Sequence, residues 1–185
     1  SKPLWEIDQN ILISRGNSPI KDDIISKQCF VDFFLHLEFL VPHMPNAIGQ
    51  AKGNSGVFLQ GRYEIQILDS FGIKRPGTGD CAALYNETAP LVNACKPPLQ
   101  WQTFEVLFRA PRFSSNGHMT NKARVSLLHN GMVVLNNIEI IDVSPAALDF
   151  DVTEPGPVLL QYHGDALSFR NIWVIPLPNE GSTEY

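Results

Sequence analysis

Apolar and polar side chains alternate along much of this chain with a period of two. Between Phe30 and Leu40, Val31, Phe33, Leu35, Leu37 and Phe39 fall on one face, and Asp32, Phe34, His36 and Glu38 on the other. Residues at i and i+2 share a face only in an extended backbone, so the segment is predicted to be a strand with an apolar underside. Gly61 to Asp69 repeats the pattern, with Tyr63, Ile65 and Ile67 pointing one way and Arg62, Glu64 and Gln66 the other. Further strands are predicted at 57–60, 101–109, 123–129, 132–135, 158–162 and 169–175. His129-Asn130-Gly131 separates two of them, and Asn-Gly is a strong hairpin signal because both residues tolerate positive φ.

No window keeps helical apolar spacing over about 12 residues. Short strands with Gly, Pro or Asn between them predict an all-β fold, an antiparallel β-sandwich or jelly roll. The length of 185 residues suits a single domain, and no repeat or linker divides it. Loops at 41–55, 71–98 and 111–122 are expected at the rims of the sheets, where ligand sites are commonly built. A composition of 44% hydrophobic and 18% charged residues excludes a disordered chain. The 13 Gly and 14 Pro leave little room for long helices. A net charge of -5 argues against a nucleic-acid partner. No apolar run approaches the ~18–20 residues of a membrane-spanning helix.

The outward faces of the two best-defined strands carry His36, Glu38, Arg62, Glu64 and Gln66. On neighbouring strands such side chains would stand about 5 Å apart. Carboxylates and amides accept hydroxyl protons, Arg donates, and aromatic faces stack on sugar rings, so a face of this kind suits a polyhydroxylated ligand. The plainer reading is a solvated face with cross-strand ion pairs. A conventional retaining glycosidase needs two carboxyl groups about 5–5.5 Å apart. Gln66 and Leu68 occupy the positions after Glu64 that would supply the second, and Asp69 falls on the opposite face. Glu38 could serve only from across the sheet, which disfavours the two-carboxylate mechanism.

A second cluster is Gln161-Tyr162-His163-Gly164, followed by Phe169-Arg170-Asn171-Ile172. His163, at a strand end beside a glycine, could act as base, acid or metal ligand, or could simply hold a turn. Tyr85 is either an aromatic at the rim or a packing residue. His43, His118 and His129 receive no role. Cys29 is expected in the core. Cys81 and Cys95 bracket a loop that a disulfide could close, worth about 3 kcal/mol, or are two reduced, buried residues.

Several blocks, taken in order, resemble the bacterial 3-keto-disaccharide hydrolase domain family. They are 54–60 (Asn-Ser-Gly-Val-Phe-Leu-Gln), 63–69 (Tyr-Glu-Ile-Gln-Ile-Leu-Asp) and 81–85 (Cys-Ala-Ala-Leu-Tyr). Later come Trp101-Gln102-Thr103, Leu128-His129-Asn130-Gly131, Gly156–Gln161, His163-Gly164 and Phe169–Ile172. The resemblance runs from Trp5 to Leu177, with a short opening strand and with Tyr162 where an acidic or polar residue is frequent. It implies a concanavalin-like or laminin-G-like jelly roll in a bacterial protein that is periplasmic or secreted, its signal peptide removed. It also implies action on sugars already oxidised at carbon 3. A C3 ketone acidifies the C2 hydrogen, so a base can remove it while the glycosidic oxygen leaves C1, and water then adds.

Such a site needs a base, an acid and a group that stabilises the enolate oxygen, but no nucleophile. Glu64 and His163 are the candidates for proton transfer and Arg62 for charge stabilisation. His36, Glu38, Gln66, Tyr85 and Gln161 would position the sugar. No cofactor is required, although a divalent metal could be held if His36, Glu38, Glu64 and His163 converge. A sugar 3-dehydrogenase would be the functional partner. The alternative from another class is a carbohydrate-binding module without catalysis, and a third is a structural domain of the cell envelope.

Overall fold

A computed structural model describes residues 4–16 and 22–178. The long expected strand over 30–40 is divided. Ile24–Phe30 forms β3, residues 31–32 turn the chain, and Phe33–Leu40 forms β4. Ahead of them lies a hairpin that periodicity did not reveal, β1 (Trp5–Asp8) and β2 (Ile11–Ser14). There follow β5 (Ser55–Leu59), β6 (Tyr63–Ile67), β7 (Gln102–Arg109), the short pair β8 (Arg112–Phe113) and β9 (Met119–Asn121), and β10 (Arg124–His129). The last are β11 (Met132–Glu139), β12 (Gly156–Leu160) and β13 (Ser168–Pro176). A single 3-10 turn at Gly49–Ala51 is the only helical element among the described residues.

The strands form a seven-stranded sheet in the order β1-β2-β13-β4-β7-β10-β11 and a four-stranded sheet in the order β3-β12-β5-β6, both antiparallel. This is the expected sandwich. The core lies between the sheets. Phe33, Leu35, Leu37 and Phe39 of β4 are wholly buried beside Phe104, Val106 and Phe108 of β7. From the small sheet, Val57, Leu59, Ile65 and Ile67 close over them, and the Tyr63 ring stands 5.6 Å from that of Phe108. Each such side chain contributes about 1.5–3 kcal/mol by leaving water. The predicted hairpin is present: Asn130 (φ 52) and Gly131 (φ 79) join β10 to β11 with both central residues at positive φ.

Three details position the candidate site. First, β6 is the last strand of its sheet, yet its outer edge is not bare. Tyr85 N–H donates to the Glu64 carbonyl, Gln66 N–H to Ala83 and Ala82 N–H to Gln66, so Ala82–Tyr85 runs alongside as an irregular extra strand. Second, Ser144 Oγ accepts from Glu64 N–H, and Ser144 N–H donates to the Arg62 carbonyl. These loops rise over the outer face and bury side chains that period-two reasoning assigns to solvent. Third, the two strands that supplied the candidate polar face are not neighbours. The β4 strand pairs with β13 and β7, β6 pairs with β5, and the two belong to different sheets.

Cys29 departs from expectation in a smaller way, since it is exposed on β3 rather than part of the core.

Candidate functional site

On the outer side of the four-stranded sheet is a hollow of about 340 Å³ lined by Gln50, Asn54, Glu64, Gln66, Tyr85, Pro145, Ala146, Gln161 and His163. Its volume lies at the lower end of the roughly 300–1,000 Å³ typical of small-molecule sites. Glu64 and Gln66 enter it because they alternate with the core residues Tyr63, Ile65 and Ile67 along β6. Gln161 and His163 arrive from the turn after β12, where Gln161 N–H donates to the Gly56 carbonyl. Tyr85 comes from the loop that edges β6.

Glu64 is the most unusual group in the hollow. It is 4% exposed, and burial pushes its carboxyl up to about 7. No Lys, Arg or His is paired with that carboxylate among the described residues, so desolvation acts unopposed. Gly56 makes the space for it: a Cβ built there would lie 2.5 Å from Glu64 Oε1. Around the carboxyl, the polar lining is only partly satisfied. Gln66 Nε2 donates to Gln50 Oε1 (2.9 Å), and Asn54 Nδ2 donates to the Gln50 carbonyl (2.7 Å). Asp165 anchors the corner by accepting from Asn54 N–H at 2.7 Å. The side-chain oxygens of Gln66 and Gln161, however, are buried with no hydrogen-bond partner among the described residues. Two unfilled acceptors beside a lone carboxyl suit a ligand that brings hydroxyl groups.

Five of the eight residues predicted for chemistry or binding therefore line one hollow: Glu64, His163, Gln66, Tyr85 and Gln161. The other three do not, and each has a physical reason. Arg62 shares the outward face of β6 but does not line the hollow. Its Nε donates to Asp149 (2.6 Å) and its Nη1 to the Glu154 carbonyl (2.7 Å), under a loop that leaves it 2% exposed. It clamps the 149–154 loop instead of facing a ligand. His36 and Glu38 lie on the outer face of the seven-stranded sheet. The His36 ring stacks on Trp173 (centroids 5.0 Å apart), and its Nδ1 is 3.4 Å from Glu105. Glu38 accepts from Arg170 Nε (2.7 Å) and Asn171 Nδ2 (2.5 Å), and Arg170 in turn lies over the Trp101 ring.

His36, Glu38, Glu64 and His163 do not converge as a shared metal site would require, because the strand carrying the first two belongs to the other sheet. Tyr162 points inward. Its hydroxyl donates to the Arg15 carbonyl at 2.6 Å, so the unusual residue beside His163 is a core anchor.

Sequence reasoning missed Gln50 and Asn54 as lining residues. Asn54 opens one of the family-like blocks and was available from that signal, whereas Gln50 lies in a loop with no periodicity to mark it. Cys81 and Cys95 are free thiols in contact with each other, and burial together with the Cys95 neighbour raises the Cys81 thiol well above its ordinary range.

Residues 2–175 match the model of the 3-keto-alpha-glucoside-1,2-lyase-like domain. The chain belongs to this family. Among solved structures it is similar to a candidate glycosyl hydrolase from Parabacteroides distasonis ATCC 8503, at 32% identity and a TM-score of 0.81, covering 94% of this chain and 74% of the other. A second candidate glycosyl hydrolase from that organism is 20% identical with a TM-score of 0.65, covering 94% and 90%. The alginate lyase Aly36B, in a mutant form complexed with an alginate trisaccharide, shares the fold at 10% identity and a TM-score of 0.52, covering 95% and 85%. The chain matches no curated protein. A family member with this sandwich is a glycosyl-hydrolase-like domain with a carbohydrate-related function. No helix among the described residues is long and apolar enough to cross a membrane.

Proposed function

We propose that the domain cleaves 3-keto-glycosides by elimination, with the hollow over β6 as its active site. The observation that carries this reading is the solitary carboxyl of Glu64, buried and held near neutrality beside unfilled amide acceptors. A group with a pKa near the working pH is well matched to general-base catalysis, because it is substantially ionised and still a strong enough base.

In this reading Glu64 removes the C2 proton of the sugar, whose acidity the C3 ketone supplies. The C2–H electron pair becomes the C1–C2 double bond, the C1–O bond breaks, and His163 protonates the departing oxygen. Water adding across the new double bond completes a net hydrolysis. Gln66 and Gln161 accept sugar hydroxyls, and the Tyr85 hydroxyl and the Gln161 amide N–H group are the available donors for the enolate oxygen. Arg62 has no part in this scheme, and no second carboxylate is needed.

The name of the family, which specifies a 1,2-lyase of 3-keto-alpha-glucosides, supports the same chemistry. Its substrate must come from a reaction that oxidises a glycoside at C3, so a sugar 3-dehydrogenase is the class of enzyme expected to act before it, in the periplasm or outside the cell.

The test is incubation with a panel of 3-keto-glycosides and their unoxidised parents. Release of the aglycone from the keto sugars alone is the expected result. Binding of unoxidised sugar with no turnover of any keto form would make the domain a carbohydrate-binding module.

A further inference from the structure

We propose that Cys81, Cys95 and His129 form an internal binding site for a thiophilic d10 cation, Zn2+ or Cu+. The ligand atoms of these three residues all lie within 4.8 Å of one another. Two sulfurs and an imidazole nitrogen are the donor set that such ions favour. The residues come from separate places, the two cysteines from the long loop between β6 and β7 and the histidine from the end of β10, so no local motif announces them.

The state of His129 points to an occupant. The residue is wholly buried, and its Nε2 lies 2.9 Å from Gln102 Oε1. That oxygen also accepts from Lys96 N–H (3.0 Å) and from Asn130 Nδ2 (3.3 Å), which establishes it as the amide oxygen. Nε2 must therefore carry the hydrogen, and Nδ1 keeps its lone pair. Nδ1 is buried with no partner among the described residues. A buried acceptor left without a partner forfeits its hydration and gains nothing in return.

A Cys81–Cys95 disulfide would offer Nδ1 no donor, and a thiol is only a weak one. A cation bound by both sulfurs and Nδ1 satisfies all three atoms together. The Gln102 contact then becomes the outer support that commonly orients a metal-bound imidazole. On binding, both thiols lose their protons to solvent, so each ion taken up releases two. The ion would tie the 70–98 loop, which also carries Tyr85, to the end of β10. Its role there is structural, and it is independent of the chemistry proposed for the hollow.

The experiment uses the intact protein, reduced, stripped with a chelator and kept anaerobic. Zn2+ and Cu+ are titrated separately against chromophoric competitors, with elemental analysis and thermal unfolding in parallel. Co2+ serves as a spectroscopic probe for thiolate ligation. The expected result is one equivalent of Zn2+ or Cu+ per chain, a raised Tm, and a thiolate-to-cobalt charge-transfer band. All three should be lost in Cys95→Ser, a half-buried position whose variant should fold. His129→Gln should lose uptake as well.

The two arms show which ion binds more tightly. Three results would each overturn the site: no uptake by the folded, reduced protein; uptake that Cys95→Ser leaves unchanged; or recovery of the protein from its native compartment as a metal-free Cys81–Cys95 disulfide.

Discussion

Glu38 and Glu64 occupy equivalent places in the chain pattern, each pointing outward from a strand whose alternate residues fill the core. Their surroundings make them opposites. Burial pushes the Glu38 carboxyl upward, but hydrogen bonds from Asn171 and Arg170 and the charges of Arg170 and His36 outweigh it, so its pKa falls below the ordinary value. It is a saturated carboxylate, fixed in an ion pair. Glu64 has the desolvation without the compensation and rises to about 7. Local sequence places a carboxyl on a face. What covers that face, and whether a cation reaches it, decides whether the carboxyl can do proton-transfer chemistry at neutral pH.

The largest expected effect separates the two residues directly. Glu64→Gln keeps size and polarity but removes the base, so turnover of a 3-keto-glucoside should fall by roughly 10²–10⁴-fold. Glu38→Gln should leave turnover nearly unchanged. Steady-state rates of both variants on one substrate check this. A loss confined to Glu38→Gln would put the chemistry on the seven-stranded sheet, and full activity of Glu64→Gln would remove Glu64 from the mechanism.

The same burial has a pH signature. A base must be ionised, so the limb of kcat/KM that Glu64 governs should rise with pH through about 7. Stability moves the other way. Because the folded-state pKa lies above the ordinary value of 4.5, the native protein holds a proton that the unfolded chain releases between those pH values. Stability should therefore decline as pH rises from about 4.5 to about 7, then become flat with respect to this group. Glu64→Gln should abolish that decline and gain up to about 3 kcal/mol at pH 8 relative to the parent. Denaturant unfolding at pH 4.5 and pH 8 measures it. A parent and variant with the same pH dependence would show that Glu64 is not desolvated.

Gly56→Ala is the next smaller perturbation. The residue sits in regular extended backbone, so alanine adds no strain of its own. Its new methyl group, however, would meet Glu64 Oε1 at 2.5 Å and must displace the carboxyl. A displacement of about 1 Å in a reacting group can cost as much as 10²-fold, and a loss of ~10–100-fold in kcat with a folded protein is expected. Turnover and circular dichroism of the variant decide it, and unchanged kcat would mean that the position of Glu64 is not critical.

These contrasts also show how far the sequence could be read. The sandwich was legible because alternation and turn chemistry are local: Ile65 and Ile67 had to point inward if Glu64 and Gln66 pointed outward, and Asn130-Gly131 had to turn. Strand partnership is not local. Nothing within Phe33–Leu40 says that it will lie between β13 and β7 rather than beside β6, so alternation alone does not reveal that His36 and Glu38 stand on a different sheet from Glu64 and Gln66. The placement of Arg62 is hidden for a similar reason, since its partner Asp149 lies 87 residues away. The gathering of Cys81, Cys95 and His129 depends on a loop and a hairpin end meeting in space, which no spacing rule anticipates.

The smallest expected effect tests the reassignment of Arg62. Asp149 is half exposed and Arg62 is not, so the pair is asymmetric. Asp149→Asn removes the countercharge but leaves an oxygen that can still accept from Nε, and the Glu154 carbonyl still holds Nη1. A stability loss of about 1 kcal/mol is expected, because a buried hydrogen bond to a charged group is weakened without being removed. With Arg62 acting only as a clamp on the 149–154 loop, kcat/KM should stay within about twofold. If Arg62 instead stabilises negative charge on the substrate, freeing it from Asp149 should change turnover by more than any accompanying change in stability. Denaturant titration and kinetics on the single variant Asp149→Asn distinguish a guanidinium that holds a loop from one that serves the hollow.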